Sequence, residues 1–267
     1  MNRLTLFYDI AGRVAKESQL DEFFTVGGAI IPTGLEDQVR DAIGWDTPKW
    51  RDTNDSYLSL ILDILKNFKV RCTVVKIEKT EPAWSKFWNA GDQQYNYLSS
   101  RTKPKPGFAK SGNLLKEWAF GKCSATGLGL HLKDQGRPTI LDTNGYSILY
   151  LKIICDTDIQ GQENRDVFEN NWKQWCKATK LTSHLGIRPY LDCAEFKTEQ
   201  EDNLLLLPDY LAGYIHYSSN PRRIARPVCL SEKGADDFGQ ELSTIVQFDL
   251  IEYSFNEILP NLGSFQE

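Results

Sequence analysis

The segment Leu4-Thr5-Leu6-Phe7-Tyr8-Asp9-Ile10-Ala11-Gly12 constrains the fold more than any other, because an apolar run of strand length ends in a carboxylate with a glycine turn behind it. An ionised acid at the edge of a buried strand is destabilising by several kcal/mol unless it is paired, hydrogen-bonded or bound to a cation. The same pattern is read at Pro138-Thr139-Ile140-Leu141-Asp142 and at Leu204-Leu205-Leu206-Leu207-Pro208-Asp209-Tyr210-Leu211-Ala212-Gly213. Three acids, Asp9, Asp142 and Asp209, therefore stand at the edges of apolar elements and need a partner.

Phe23 to Ile31, closed by Pro32, predicts a second strand that forms a hairpin with the first. Helices are predicted over 33–43 and over 56–68, where Leu58, Ile61, Leu62 and Leu65 recur at three- and four-residue spacing. A strand rich in β-branched residues follows over 69–78, and Thr80-Glu81-Pro82 opens a further helix. Beyond it the pattern predicts a helix over 113–126, a strand ending at Asp142, an amphipathic helix over 162–180, a strand over 188–196 and a helix over 208–217. This order predicts a mixed α/β layer fold, with later strands parallel to the first and chemistry beyond the carboxyl ends of the central strands. The basic, proline-rich stretch at about 99–112 reads as an exposed loop within one domain spanning 1–267.

With 41% hydrophobic residues over 267, the chain can bury a large core. A net charge of −5 argues against nucleic-acid binding through bulk positive charge, although local basic patches keep a nucleic-acid partner open. No stretch approaches the roughly 18 apolar residues of a membrane span, and no leader pattern follows Arg3, so a cytoplasmic protein without a membrane partner is expected. Six cysteines without a C-x-x-C pair read as free thiols and do not suggest structural zinc.

If Asp9 and Asp142 end neighbouring strands and the helix from Pro208 packs over them, Asp209 completes a carboxylate cluster. Such acids repel one another unless a cation neutralises them, and Mg²⁺ or Mn²⁺ suits an all-oxygen site. Two such ions about 4 Å apart serve phosphodiester hydrolysis. Two of the acids also have plainer readings: Asp142 opens the Thr143-Asn144-Gly145 turn, and Asp209 complements a helix dipole. Glu78, Glu117 and Asp192 are candidates for a fourth ligand, and Lys197, Arg222 and Arg223 for phosphate contacts, with Arg101, Lys103, Lys105 and Lys110 in the central loop. These charged side chains equally suit a solvated surface.

At Tyr8-Asp9-Ile10-Ala11-Gly12, Val26-Gly27-Gly28-Ala29-Ile30-Ile31, Ile140-Leu141-Asp142 and Leu207-Pro208-Asp209-Tyr210-Leu211-Ala212-Gly213, the chain resembles domain-of-unknown-function family 3800. That family looks like part of the ribonuclease-H-like superfamily. The resemblance implies a mixed sheet with antiparallel first strands flanked by helices, two divalent ions, and Asp9, Asp142 and Asp209 as catalytic metal ligands. It points to a metal-dependent nuclease of prokaryotic or mobile-element origin. Where the family carries Glu-Ser after the first Asp, this chain has Ile10-Ala11, and Pro208 replaces the usual Ala before the helix acid. The alternative is therefore a catalytically impaired binding or regulatory subunit, with a protein partner or a second copy of itself.

Overall fold

Alternation along the first strand, β1 (Arg3–Ala11), sets out the two faces of the molecule: Leu4, Leu6 and Tyr8 enter one apolar cluster, while Phe7 enters the other and Asp9 lies on its side. The computed structural model describes residues 3–14, 22–32, 34–89, 111–157, 161–178, 186–220 and 226–262. β1 pairs antiparallel with β2 (Phe23–Ile30), which pairs antiparallel with β3 (Arg71–Glu78). On its other edge β1 runs parallel to β4 (Ser147–Cys155), and β4 parallel to β5 (Ile187–Phe196). A sixth strand, β6 (Phe248–Ser254), lies parallel beside β3 and completes the order β5-β4-β1-β2-β3-β6. This is the mixed α/β sheet expected above, with antiparallel first strands flanked by helices and one strand added at the β3 edge.

The helices divide between the faces. α1 (Glu36–Ile43), α2 (Asp55–Phe68), α6 (Leu206–Ser219) and α7 (Glu232–Leu242) cover the Phe7 face. The short helix α3 over 83–89, then α4 (Ser111–Gln135), α5 (Gln162–Ala178) and α8 (Phe255–Leu262), cover the other. α2 begins where Asn54 Oδ1 accepts the Ser56 and Tyr57 N–H groups, at 3.0 and 3.2 Å, and it buries Leu58, Ile61, Leu62, Ile64 and Leu65. α6 is apolar almost all round, as a helix buried on every side must be.

Gly27 and Gly28 explain how both layers reach the sheet. A Cβ on Gly27 would fall well inside 3.0 Å of the Pro208 carbonyl oxygen, and one on Gly28 would stand 2.5 Å from Cys123 Sγ on α4. The paired glycines thus admit α6 to one face and α4 to the other. Opposite Gly27 in the register stands Asp9 of β1, so this acid shares the face of the sheet that receives α6.

Two expectations fail here. The strand predicted to end at Asp142 is only an isolated bridge, Leu141 to Ser147, and the true strand begins after the turn at Ser147. The Thr143-Asn144-Gly145 turn introduces β4 instead of closing it. β6, α7 and α8 lie beyond the last predicted element; β6 is a half-exposed edge strand whose alternation is weak. The central basic loop, with Arg101, Lys103, Lys105 and Lys110, lies outside the described residues, as do Arg222 and Arg223. Cys72, Cys123 and Cys155 are buried and in no disulfide, in line with the reading from sequence. Among the described residues no helix is long and apolar enough to cross a membrane.

Candidate metal centre

Because β1, β4 and β5 are parallel, their carboxyl ends lie side by side, and each end delivers an acid. Tyr8 is level with Cys155, and the next residue, Asp156, donates its N–H to the Tyr8 carbonyl at 3.1 Å. Cys155 is level with Phe196, and its carbonyl accepts the Lys197 N–H at 2.9 Å. Two residues on, Glu199 hangs in a turn fixed by the Glu201 and Asp202 N–H groups on the Thr198 carbonyl, both at 3.0 Å. Asp9, Asp156 and Glu199 each present a carboxylate oxygen, all within 4.8 Å of one another.

α6 brings a fourth acid. Asp209, in its first turn, is hydrogen-bonded to Asp9, and its Oδ2 accepts the Trp50 N–H at 2.7 Å. Burial is the main cause that lifts the Asp209 carboxyl to about 6; the Trp50 N–H and Asp9 bonds oppose it, the Glu199 charge adds to it, and Lys49 pulls it back.

Among the described residues, Lys49 is a cation that faces these acids. Lys49 Nζ lies 2.5 Å from Glu199 Oε1 and 3.9 Å from Asp156 Oδ2. Partial burial works against its charge, but the Glu199 hydrogen bond and the charges of Glu199, Asp156 and Asp209 prevail and raise its pKa. Its position is built from both sides. The Pro48 carbonyl accepts the Tyr210 hydroxyl at 2.9 Å, and the Trp50 ring lies edge-on to Tyr210 and Tyr214 of α6. Gly213 makes room for that indole, since a Cβ there would strike it.

Whether these residues suit a divalent ion is answered by Glu199. Its side chain is 6% exposed, yet Oε2 has no hydrogen-bond partner, so this ligand residue keeps a buried acceptor unsatisfied. Hard oxygen donors converging from three strand ends and a helix are the set that Mg²⁺ or Mn²⁺ takes.

Of the acids predicted from sequence, Asp9 and Asp209 come together and Asp142 does not. Asp142 precedes the start of β4, whereas Asp9 lies beside its end, about 26 Å away at about 3.3 Å per strand residue. Its Oδ1 accepts the Asn144 and Tyr146 N–H groups at 2.8 and 3.0 Å, and its Oδ2 pairs with Arg188 at 2.7 Å. Slight desolvation is outweighed by those N–H bonds and by Arg188, so its pKa falls. It is the turn residue of its plainer reading, and Asp156 stands where it was expected.

The fourth-ligand candidates are elsewhere. Glu78 is exposed at the end of β3, Asp192 pairs with Arg3 at 3.4 Å, and Glu117 on α4 accepts from Asn171 on the opposite face of the sheet. Lys197 is engaged by Glu195 at 2.8 Å and by Asp202 at 3.9 Å. Nor does Ile10 stand in for a lost ligand: it packs against the apolar cluster on the face away from Asp9, so an acid there would point out of the centre. Asp156 carried a legible signal, because Ser147 to Cys155 is an apolar, β-branched run ending in an acid, as at Asp9. Glu199 and Lys49 carried none.

No protein-family model and no curated protein matches the chain. Among solved structures it is similar to ribonuclease H2 from Pyrococcus horikoshii, at 14% identity over 78% of this chain and 70% of that one, with a TM-score of 0.39. Ribonuclease HII from Archaeoglobus fulgidus, in complex with PCNA, is 10% identical over 91% of this chain and 90% of its own, again with a TM-score of 0.39. A point mutant of Bst-RNase HIII is 12% identical over 84% and 56%, with a TM-score of 0.36.

Proposed function

We propose that this chain is a divalent-metal-dependent nuclease, with Asp9, Asp156, Glu199 and Asp209 as the ligand set for Mg²⁺ or Mn²⁺ and nucleic acid as its substrate. Membership of domain-of-unknown-function family 3800 belongs to the same proposal. The observation that carries it is the convergence of acids from three parallel strand ends, one of which, Glu199, keeps a buried oxygen without a hydrogen-bond partner.

Acids gathered in a buried cluster repel one another, and a bound cation offsets that repulsion. A bound divalent ion supplies Lewis acidity and a water acidic enough to act near neutral pH. The chain's own part is to hold the oxygens in place: the sheet register fixes Asp9 against Asp156, and the Trp50 N–H orients Asp209. Ile10 does not weigh against turnover, because its side chain faces away from the acids.

The test is incubation with single- and double-stranded DNA and RNA in Mg²⁺ or Mn²⁺. Cleavage is expected, abolished by Asp156→Asn and by Glu199→Gln and retained by Asp142→Asn. Cleavage that persists in both of the first two variants refutes the ligand set. Tight binding of nucleic acid without cleavage in any metal favours the impaired binding module.

A further inference from the structure

Lys49 occupies ground that a second metal ion would need. Its ammonium touches Glu199 Oε1 at 2.5 Å and reaches Asp156 Oδ2 at 3.9 Å, which places it on the Asp156–Glu199 side of the cluster. Asp9 and Asp209, bonded to each other, form the remaining side, and Glu199 Oε2 is the acceptor left over. Two-ion nuclease centres hold their ions about 3.5–4 Å apart, bridged by shared carboxylates. An ammonium in contact with Glu199 and near Asp156 competes directly with an ion bridging those two acids.

The placement is not that of a wandering surface lysine. Pro48 and Trp50 are each bonded to α6, the helix that carries Asp209, so the backbone on both sides of Lys49 is tied to the centre. The Trp50 ring lies among Tyr210, Tyr214 and Tyr217, where Gly213 leaves it space. A lysine serving only to pair with a surface acid needs no such anchorage, since exposed pairs contribute little.

We infer that Lys49 acts as a tethered second cation, so that the centre binds one divalent ion per chain, on the Asp9–Asp209 side, with the ammonium in place of the other. The inference rests on the metal-dependent reading above and deepens it. It makes Lys49 a determinant of metal stoichiometry, measurable without any substrate.

The experiment is calorimetric titration of the full chain with Mn²⁺ at constant pH, for the wild type, Lys49→Met and Lys49→Arg. Expected are one Mn²⁺ for the wild type, two for Lys49→Met, which keeps the stem and loses the charge, and one for Lys49→Arg, which restores it. Two ions in the wild type, or one in Lys49→Met that is folded by circular dichroism, overturns the role of Lys49 and leaves the metal centre standing. If Lys49→Met does not fold, Lys49→Gln, which also removes the charge, takes its place in the titration with the same two outcomes. No Mn²⁺ binding by the wild type overturns the metal centre itself, and this inference with it.

Discussion

Gly27→Ala is the sharpest test of how the fold makes the site, because it adds one methyl group at the seam between the sheet and α6. The new Cβ would lie well inside 3.0 Å of the Pro208 carbonyl oxygen and 3.1 Å from Pro208 Cα, against the 3.4 Å or more of ordinary contact. Both obstacles belong to the main chain of α6, so no rotamer change relieves them. The helix must back away by roughly 0.5–1 Å, and overpacking of this kind is destabilising by about 1–3 kcal/mol. Asp209 is the next residue on that helix and travels with it, away from Asp9 and from the Trp50 N–H. Disturbing the partners that orient ligands weakens metal binding by about 10–100-fold. Gly28→Ala is the matched control: its Cβ meets Cys123 Sγ at 2.5 Å and the Tyr8 ring at 3.1 Å on the far face, so it disturbs packing without touching α6. Urea denaturation and Mn²⁺ calorimetry on both variants separate the effects. Stability should fall in both, and Mn²⁺ affinity in Gly27→Ala alone. Equal Mn²⁺ affinities for the two variants, or a Gly27→Ala protein as stable as the wild type, would refute the reasoning.

Two further outcomes follow from the acids outside the cluster. Burial lifts the Glu117 carboxyl to about 7 against the partial relief of its Asn171 bond, so the folded chain keeps a proton that the unfolded chain has released near 4.5. Its contribution to stability is therefore present below about pH 4.5 and is lost as pH rises through 7, by up to about 3 kcal/mol. Glu117→Gln should gain on the wild type in urea midpoint between pH 5 and pH 8, and a gap that does not change with pH contradicts the assignment. Asp142→Ala should lower thermal stability by removing the turn bonds and the Arg188 pair while leaving Mn²⁺ affinity unchanged; a loss of Mn²⁺ binding would return Asp142 to the centre.

The error at Asp142 shows what kind of information was missing. An apolar run before an acid signals a strand end only if the run is the strand, and Ile140-Leu141 is a short approach to a turn, with both residues exposed. Thr143-Asn144-Gly145 was read as a strand terminator, but a turn of that composition starts a strand as readily as it ends one. Reading one run further, to Ser147–Cys155, reaches Asp156 by the same rule that found Asp9. Strand alternation also separates the two departures after Asp9: the Ile10 side chain lies on the opposite face, whereas Ala11, two residues on, shares the face of Asp9.

Local sequence determined what local physics can determine. Period-two alternation in β1 set Asp9 on the α6 face, and β-branched runs made β2 and β3. The apolar, proline-opened start of α6 fixed Asp209 in a first helical turn. The tertiary structure alone decided which acids meet. Glu199 sits in a polar turn and Lys49 in a loop with no periodic pattern, and both reach the centre because β5 lies beside β4 and because Pro48 and Trp50 dock on α6. Their positions depend on contacts between distant segments, Ser147 with Ile187 in the sheet and Trp50 with Asp209 across the layers, and such contacts are encoded in the shape and burial of the whole sheet rather than in any stretch that contains them.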